Sequence, residues 1–438
     1  MSNDTVMTWR KSSSGSGHIE PGVGGPARSE EAAKRCTELN WTVGPTLTDM
    51  KTLVLNAGSS SHKVSLYQLG ENLPDDPQPP LWEAKIDWHD HIGADAVEQL
   101  VTTLWRGKSP VLRSSDDIDM VGHRIVHGGR QYEEPVRITP AVKAGIAGVS
   151  AFAPLHNRGE LEVIDVIEKL FGDIPQIAVF DTGFHRSIPP AAAVYPGPYE
   201  WFTEGIRRYG FHGINHQYCA GRAARLLKRD LKTLRLITCH LGNGCSLAAI
   251  RGGHSIDTTM GFTPLEGLMM GTRSGSIDPG ILPYLLRGGR LQPEEIDDVL
   301  NRKSGLLGIS GLSSDMRDVL AAIKQGHSRA RLAFDIYVHR LQAGIGAMAA
   351  VLGGIDALVF TAGVGENSPE VREAACKPLS FLGLKLDEAA NAQTSPDADI
   401  ATAGSQVRVL LIRAQEDWAI AQECWKFRGQ IPNSRLKN

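Results

Sequence analysis

Twice in this chain an apolar run enters a short glycine-bearing turn and a second apolar run returns, and this repeat restricts the fold more than any other feature. The first unit is Thr52-Leu53-Val54-Leu55, the turn Asn56-Ala57-Gly58-Ser59-Ser60-Ser61, and the alternating Lys63-Val64-Ser65-Leu66-Tyr67. The second is Leu234-Arg235-Leu236-Ile237-Thr238-Cys239, then His240-Leu241-Gly242-Asn243-Gly244, then Cys245-Ser246-Leu247-Ala248-Ala249-Ile250. Such runs, bounded by glycine turns, read as the strands of hairpins. One such turn alone is an ordinary hairpin turn. Its glycine nevertheless admits backbone angles closed to other residues, and its amides and hydroxyls can face an anion. Repetition of the design suggests a duplicated α/β domain. A third apolar run, Ala357-Leu358-Val359-Phe360-Thr361, enters Ala362-Gly363-Val364-Gly365-Glu366-Asn367, a glycine-rich loop before the helical stretch at Pro369. Three such loops point to a nucleotide clamp. None has the spacing of a P-loop, and no G-x-G-x-x-G follows a strand.

The 438 residues, 42% of them hydrophobic, exceed what one core holds, since single cores stop growing near roughly 250–300 residues. Two domains follow, after a flexible extension over residues 1–50 with runs such as Ser12-Ser13-Ser14-Gly15-Ser16-Gly17. A net charge of -3 with mixed signs supplies neither the basic field that nucleic acid requires nor a polybasic membrane patch, so small molecules are the expected partners. Six dispersed cysteines without a C-x-x-C pair read as reduced and buried. Leu341–Phe360 is long and apolar enough to imitate a membrane span. The turn signal Gly353-Gly354-Ile355-Asp356 instead splits it into a small-residue helix and a strand. Without a charged region followed by an apolar core, no secretory signal is expected. Glu20, Glu30 and Glu31 oppose an organelle transit peptide, so the expected location is cytoplasmic.

Polar groups with chemical potential stand where apolar strands end. Arg124, in Val121-Gly122-His123-Arg124-Ile125-Val126-His127-Gly128-Gly129, can grip a carboxylate or phosphoryl group bidentately, or form a structural ion pair. Asp181 closes the buried run Ile177–Phe180 and needs a cation to stay ionised there, unless it is a helix N-cap. Arg208-Tyr209-Gly210-Phe211-His212-Gly213 sets an aromatic wall beside an imidazole, which is either structural or catalytic. Gly271-Thr272-Arg273-Ser274-Gly275 places an arginine on a glycine-flanked loop, as a solvated side chain or a ligand-binding one.

In consistent order from Lys51 to Gln422, these phrases resemble the acetate kinase family. Asn-Ala-Gly-Ser-Ser-Ser (56–61), Gly-His-Arg-x-Val-His-Gly-Gly (122–129), Ala-Pro-Leu-His-Asn (153–157), Val-Phe-Asp-Thr (179–182), Tyr-Gly-Phe-His-Gly (209–213), His-Leu-Gly-Asn-Gly (240–244), Gly-Thr-Arg-Ser-Gly (271–275), Ser-Ser-Asp-x-Arg (313–317) and Phe-Thr-Ala-Gly-x-Gly-Glu-Asn (360–367) carry the likeness. The resemblance implies two related α/β domains of duplicated actin-like ATPase (ribonuclease H-like) topology around a cleft. Domain I would be 51–182 plus 416–438, and domain II, which binds nucleotide, 183–415. The activity it implies is reversible transfer of the ATP γ-phosphoryl group to acetate by a homodimer, with magnesium or, in its place, manganese. By the same resemblance Arg124 and Arg273 hold the carboxylate and the transferring group, and His212 stabilises the transition state. Asp181 is the acid at the reacting centre; acetate is already an anion, so Asp181 is assigned to orienting groups or magnesium rather than to deprotonation. Val126, Leu155, Phe211 and Pro264 form a methyl pocket. Lys63 and His240, Leu241, Gly242, Asn243 and Gly244 reach the phosphates; Asp315, Met316 and Arg317 the adenosine; and Gly363, Val364, Gly365, Glu366 and Asn367 a backbone wall. Asn56 and Glu416 serve magnesium.

The chain departs from the family pattern at Arg158-Gly159-Glu160, where proline and asparagine are usual, at Ile214-Asn215, and at Gln415-Glu416-Asp417. Two rivals remain: a propionate or butyrate kinase of the same family, and a non-catalytic ATP-binding clamp. Substrate size, the net direction of the reaction and pyrophosphate as donor stay open at this point.

Overall fold

The computed structural model describes residues 49–57, 61–87, 94–150, 157–393 and 395–431. The expected extension over 1–50 therefore lies outside the described residues except for Asp49 and Met50, and Met50 already opens the first strand. The strands are β1 (Met50–Ala57), β2 (Ser61–Leu69), β3 (Trp82–Asp87), β4 (Met120–Ile125), β5 (Val136–Arg137), β6 (Gln176–Phe180), β7 (Arg235–Leu241), β8 (Cys245–Arg251), β9 (His254–Thr258), β10 (Ala357–Thr361), β11 (Ala398–Asp399) and β12 (Arg408–Leu411). They form two six-stranded sheets, in the orders β3-β2-β1-β4-β6-β5 and β9-β8-β7-β10-β12-β11. In each, the first three strands pair antiparallel, the next two add in parallel, and a two-residue strand closes the far edge antiparallel. The two hairpins read from the sequence are β1–β2 and β7–β8, at the same place in each sheet.

Both faces of each sheet are covered, which is why the central strands are buried along most of their length rather than at alternate residues. Leu53 and Leu55 pack with Val97, Val101 and Leu104 of the helix Ala94–Arg106 and with Val163 and Ile167 of the helix Asn157–Phe171. Val54, pointing the other way, packs with Trp418, Ile420 and Ala421 of the helix Glu416–Lys426. In the second sheet, Ile237 and Cys239 face the helix Ser328–Leu352, while Leu236 faces Cys219, Ala220 and Ala223 of the helix Gly213–Leu227. The helix Glu416–Lys426 comes after β12 of the second sheet but lies against the first. A Cβ on Gly122 would stand 2.5 Å from Cys424 Sγ and 2.8 Å from Ile420 Cγ2, so only glycine lets this helix approach β4 so closely.

The long apolar stretch divides as its turn signal requires. Ser328–Leu352 is helical, Gly353 ends the helix at φ +67°, and β10 starts at Ala357. No helix among the described residues is long and apolar enough to cross a membrane. The glycine-rich loop expected over 362–367 differs: it is a short helix, Ala362–Asn367. Glu366 accepts from Ala362 N at 3.0 Å, and Asn367 Nδ2 donates to Gly363 O at 2.8 Å. These local bonds offset only part of the low helix propensity of the two glycines.

Candidate active site

β4, the residues after β6, and the entrance to the helix Gly213–Leu227 meet at one carboxylate. Arg124 Nη2 donates to Asp181 Oδ2 at 2.8 Å, and its Nη1 donates to the carbonyl of Ala57. The same Oδ2 accepts the His212 backbone N–H at 2.8 Å, and Gly213 N donates to Asp181 O at 2.8 Å. A Cβ on Gly213 would lie 2.3 Å from that carbonyl. His212 itself is held at φ 57°, ψ 24°, a left-handed conformation uncommon for a residue with a side chain. Asp181 is fully buried, and the helical turn Gly183–Ser187 that follows it is capped by Thr182 rather than by Asp181; its carboxylate is instead paired with Arg124. Asp181 Oδ1 and Arg124 Nε have no hydrogen-bond partner among the described residues. Burial alone would lower the Arg124 pKa, but Asp181, Glu416 and Glu160 together raise it.

The second sheet supplies the opposite wall. The His212 ring stacks on His240 at 3.9 Å between centroids and 13° between planes. Its Nδ1 lies 2.8 Å from Ser246 Oγ, which also lies 2.8 Å from His216 Nε2, while His216 Nδ1 reaches Thr238 Oγ1 at 2.7 Å. Asn215 Nδ2 donates to His240 Nδ1 at 2.8 Å. Burial first, and then the neighbouring His240, His216, Arg124 and Arg273, press the His212 imidazole well below its ordinary value. It is neutral at physiological pH. A Cβ on Gly244 would meet His212 Nε2 at 3.4 Å and Arg273 Nη1 at 3.5 Å, so both groups border the bare backbone of this turn. Arg273 Nη1 donates to Pro264 O at 3.3 Å, and no carboxylate among the described residues pairs with it. Burial lowers its pKa.

The turn after β7 is joined to the segment before the helix Met316–Lys324 through Gly271. Gly271 N donates to Asn243 O at 3.0 Å, and its absent Cβ would lie 3.1 Å from Ser314 O. Here Asp315 caps the helix, accepting Arg317 N at 2.8 Å and pairing with the Arg317 guanidinium, while Met316 is buried. Leu241 is buried at the end of β7. Gly242 and Gly365 come near one another through Ala362 and Leu241. Glu366, whose carboxyl burial pushes up, ties Ala362 N to Ala414 N at 3.0 and 2.8 Å.

Asn56 and Lys63 meet a residue that the sequence reading left without a role. Asn56 Nδ2 donates to Glu416 Oε2 at 3.2 Å and to Asp417 Oδ1 at 2.7 Å; Ser65 Oγ donates to Asp417 Oδ2 at 2.8 Å, and Lys63 Nζ pairs with it at 3.0 Å. Asp417 is the hub. Two adjacent acids in the first turn of a helix were the signal available for it. Lys63 also pairs with Glu83 at 3.1 Å. Burial raises the Glu416 pKa, opposed by Arg124, so a second cation beside it would be favoured. Among the described residues no group of three or more His, Cys, Asp and Glu is arranged as a metal cage. Magnesium does not need one, since it commonly takes one or two protein oxygens, with water and phosphate completing its shell. The buried Asp181 Oδ1 and the Asn56–Glu416 pair are oxygen donors of that kind.

Of the residues expected to form the methyl pocket, Val126 and Phe211 are buried in one cluster with Met260, Leu268 and Met270. Pro264 is the carbonyl partner of Arg273, and Leu155 lies outside the described residues. Glu160, not singled out from the sequence as a site residue, is buried beneath Val126.

The acetokinase family profile matches residues 81–422. An acetate kinase of Trichormus variabilis is 58% identical over 401 residues, covering 86% of this chain and 99% of that protein. The chain belongs to the acetokinase family. Another acetokinase relative, the acetate kinase of Gloeobacter violaceus, is 57% identical over the same share of the chain. Among solved structures, Porphyromonas gingivalis acetate kinase superposes with a TM-score of 0.78 at 39% identity, covering 86% of this chain and 99% of that one. A propionate kinase from Francisella tularensis gives 0.75 at 36%, covering 85% and 98%. The two matched sheets are thus those of an acetokinase, a duplicated actin-like α/β architecture.

Proposed function

We propose that this acetokinase transfers the γ-phosphoryl group of ATP reversibly to acetate, giving acetyl phosphate and ADP. The observation that carries the reading is the pair of arginines with different partnerships. Arg124 is tied to Asp181, whereas Arg273 is part-buried and has no carboxylate partner among the described residues. A cation so placed favours an anion that arrives with the substrate. In the forward direction a carboxylate oxygen forms a bond to phosphorus as the bond from phosphorus to the β–γ bridging oxygen breaks. The nucleophile is already ionised, so no base is required, and catalysis is positioning and charge stabilisation. Asp181 orients Arg124 and the His212 backbone. In the tautomer in which Ser246 donates to Nδ1 and accepts from His216 Nε2, His212 carries its proton on Nε2, beside Arg273, and acts as a neutral hydrogen-bond donor to the equatorial oxygens.

ATP is assigned to the turn His240–Gly244, Lys63, the Asp315–Arg317 segment and Gly363–Asn367, with domain I over 51–182 plus 416–438 and domain II over 183–415. Asn56 and Glu416 would hold magnesium, or manganese in its place, which when bound neutralises phosphate charge. The buried Val126 and Phe211 favour a small acyl group and hence acetate over propionate. A cytoplasmic location is supported by the buried free thiols of Cys219, Cys239, Cys245, Cys376 and Cys424, and a homodimer by the family resemblance. The test is acyl-hydroxamate formation from C2, C3 and C4 acids with ATP and magnesium. Acetate should give the highest kcat/KM. A protein that binds ATP yet makes no acyl phosphate from any of them would be a clamp, and the proposal would fall.

A further inference from the structure

We infer that Glu160 is a positioning residue of the acceptor site: it fixes the Val126 segment of the pocket and, through its charge, sets how strongly Arg124 draws an incoming carboxylate. This rests on the reading of the centre as one that phosphorylates a carboxylate. Glu160 lies in the first turn of the helix Asn157–Phe171, 3% exposed, with each carboxyl oxygen 3.2 Å from Val126 N. Val126 is the first residue past the end of β4, whose last ladder pair is Ile125 with Phe180. Its N–H has left the sheet and is buried, so it requires another acceptor. Glu160 is that acceptor, and Val126 stands two residues beyond Arg124.

A buried carboxyl here is electrostatically consequential. The charged groups facing it are Arg124 from β4 and Asp181 from the end of β6. Glu416 bears on Arg124 from the helix Glu416–Lys426. On Glu160's own helix, Arg158 and Glu162 pair with each other at the surface at 3.5 Å. Burial pushes the Glu160 carboxyl up to about 8, while Arg124 and the Val126 N–H pull it the other way. Below that pH Glu160 is neutral, and the two site arginines outweigh Asp181 in the pocket, leaving attraction for acetate. Above it, a second buried anion shares Arg124 and cancels that surplus. Affinity for the acceptor should then weaken while the charge stabilisation around the phosphoryl group, supplied by Arg273 and His212, persists.

The experiment is initial-rate kinetics with acetate and ATP between about pH 6.5 and 9 on the full chain, Glu160→Leu and Glu160→Gln, with the surface variant Glu162→Gln as control. Glu160→Leu leaves Val126 N unpaired and should raise the acetate KM about ten-fold, with kcat within about three-fold. Glu160→Gln still offers an acceptor oxygen and should recover most of that affinity. It should also remove the rise in acetate KM, about five- to ten-fold, that the wild type shows as Glu160 ionises. Glu162→Gln should follow the wild type. An active wild type whose pH profile of KM is superimposable on that of Glu160→Gln overturns the inference alone, as does a Glu160→Leu enzyme with unchanged acetate KM. If Glu160→Leu does not fold, the Glu160→Gln profile decides. A wild type that makes no acyl phosphate overturns the underlying reading and this inference with it.

Discussion

Arg124 and Arg273 are the same residue type in opposite electrostatic situations, and their substitutions should separate. Removing Arg124 strands the buried Asp181, so Arg124→Ala should lose stability, about 3–5 kcal/mol, together with activity. Arg273 is part-buried and has no carboxylate to strand among the described residues. Arg273→Ala should therefore lower kcat about 10²–10³-fold with little fall in melting temperature. Lysine should not rescue it, since a point charge cannot reproduce the planar fork. Equal destabilisation of the two variants in parallel melts and assays would contradict this. At the pocket, Val126→Ala should raise the propionate-to-acetate ratio of kcat/KM, within the roughly 1–3 kcal/mol that a methylene is worth; an unchanged ratio would remove Val126 from the pocket. Arg124, Asp181, His212 and Arg273 were legible because charged residues at apolar strand ends and on glycine loops are locally anomalous. Asp417 and Glu160 were not, because an acid in the first turn of a helix is locally ordinary. Glu160 could have been suspected from period: it shares the buried stripe of its helix with Val163, Ile164 and Ile167.

At the scale of elements, the sequence showed strands and the interruption of the long apolar stretch clearly, since glycine pairs and apolar runs are local signals. It missed the helical turn Ala362–Asn367 because what holds that turn comes from elsewhere. Arg372, 2% exposed, donates to the carbonyls of Gly365 and Glu366, each at 2.8 Å, and to Asn391 Oδ1 and O, each at 2.7 Å. A helix leaves its last carbonyls without partners, and here one guanidinium from the next helix, Pro369–Cys376, supplies them. Arg372→Met keeps much of the volume but orphans these acceptors. It should cost about 3 kcal/mol in denaturant unfolding and raise the KM for ATP more than that for acetate, because the short helix ends at the proposed nucleotide wall. An equal rise in both constants would assign Arg372 to the scaffold alone.

Over the whole molecule, the duplicated sheets were visible as two hairpins. Their junction was not, because it is made by single contacts far apart in sequence: His212 and Gly213 on Asp181, and Asn56 on Glu416 and Asp417. Around that junction and beneath the first sheet lies an unusual number of neutral imidazoles. Burial, before any other cause, lowers His62, His127, His185 and His240 to about 4 and His123 to about 3, and holds His212 and His216 well below their ordinary value. Each has a folded pKa below its unfolded value of 6.5, so its contribution is complete above pH 6.5 and is lost as pH falls toward the folded value. The loss approaches about 1.4 kcal/mol per pH unit for each histidine that refuses its proton. Glu160 has the opposite sign. Its folded value near 8 exceeds its unfolded 4.5, so its contribution grows as pH falls from 8 toward 4.5 and offsets roughly one histidine. Glu416 acts in the same direction. Between pH 8 and 6.5 Glu160 acts before the histidines, and below 6.5 the histidines outnumber the raised carboxyls. Thermal melts should therefore show a stability maximum near pH 6.5 to 7, with a steep decline on the acid side well above the ordinary carboxylate range. A melting temperature that stays level down to pH 5 would mean that these imidazoles take up protons in the folded state, and would withdraw the neutral form of His212 on which its role as a donor depends.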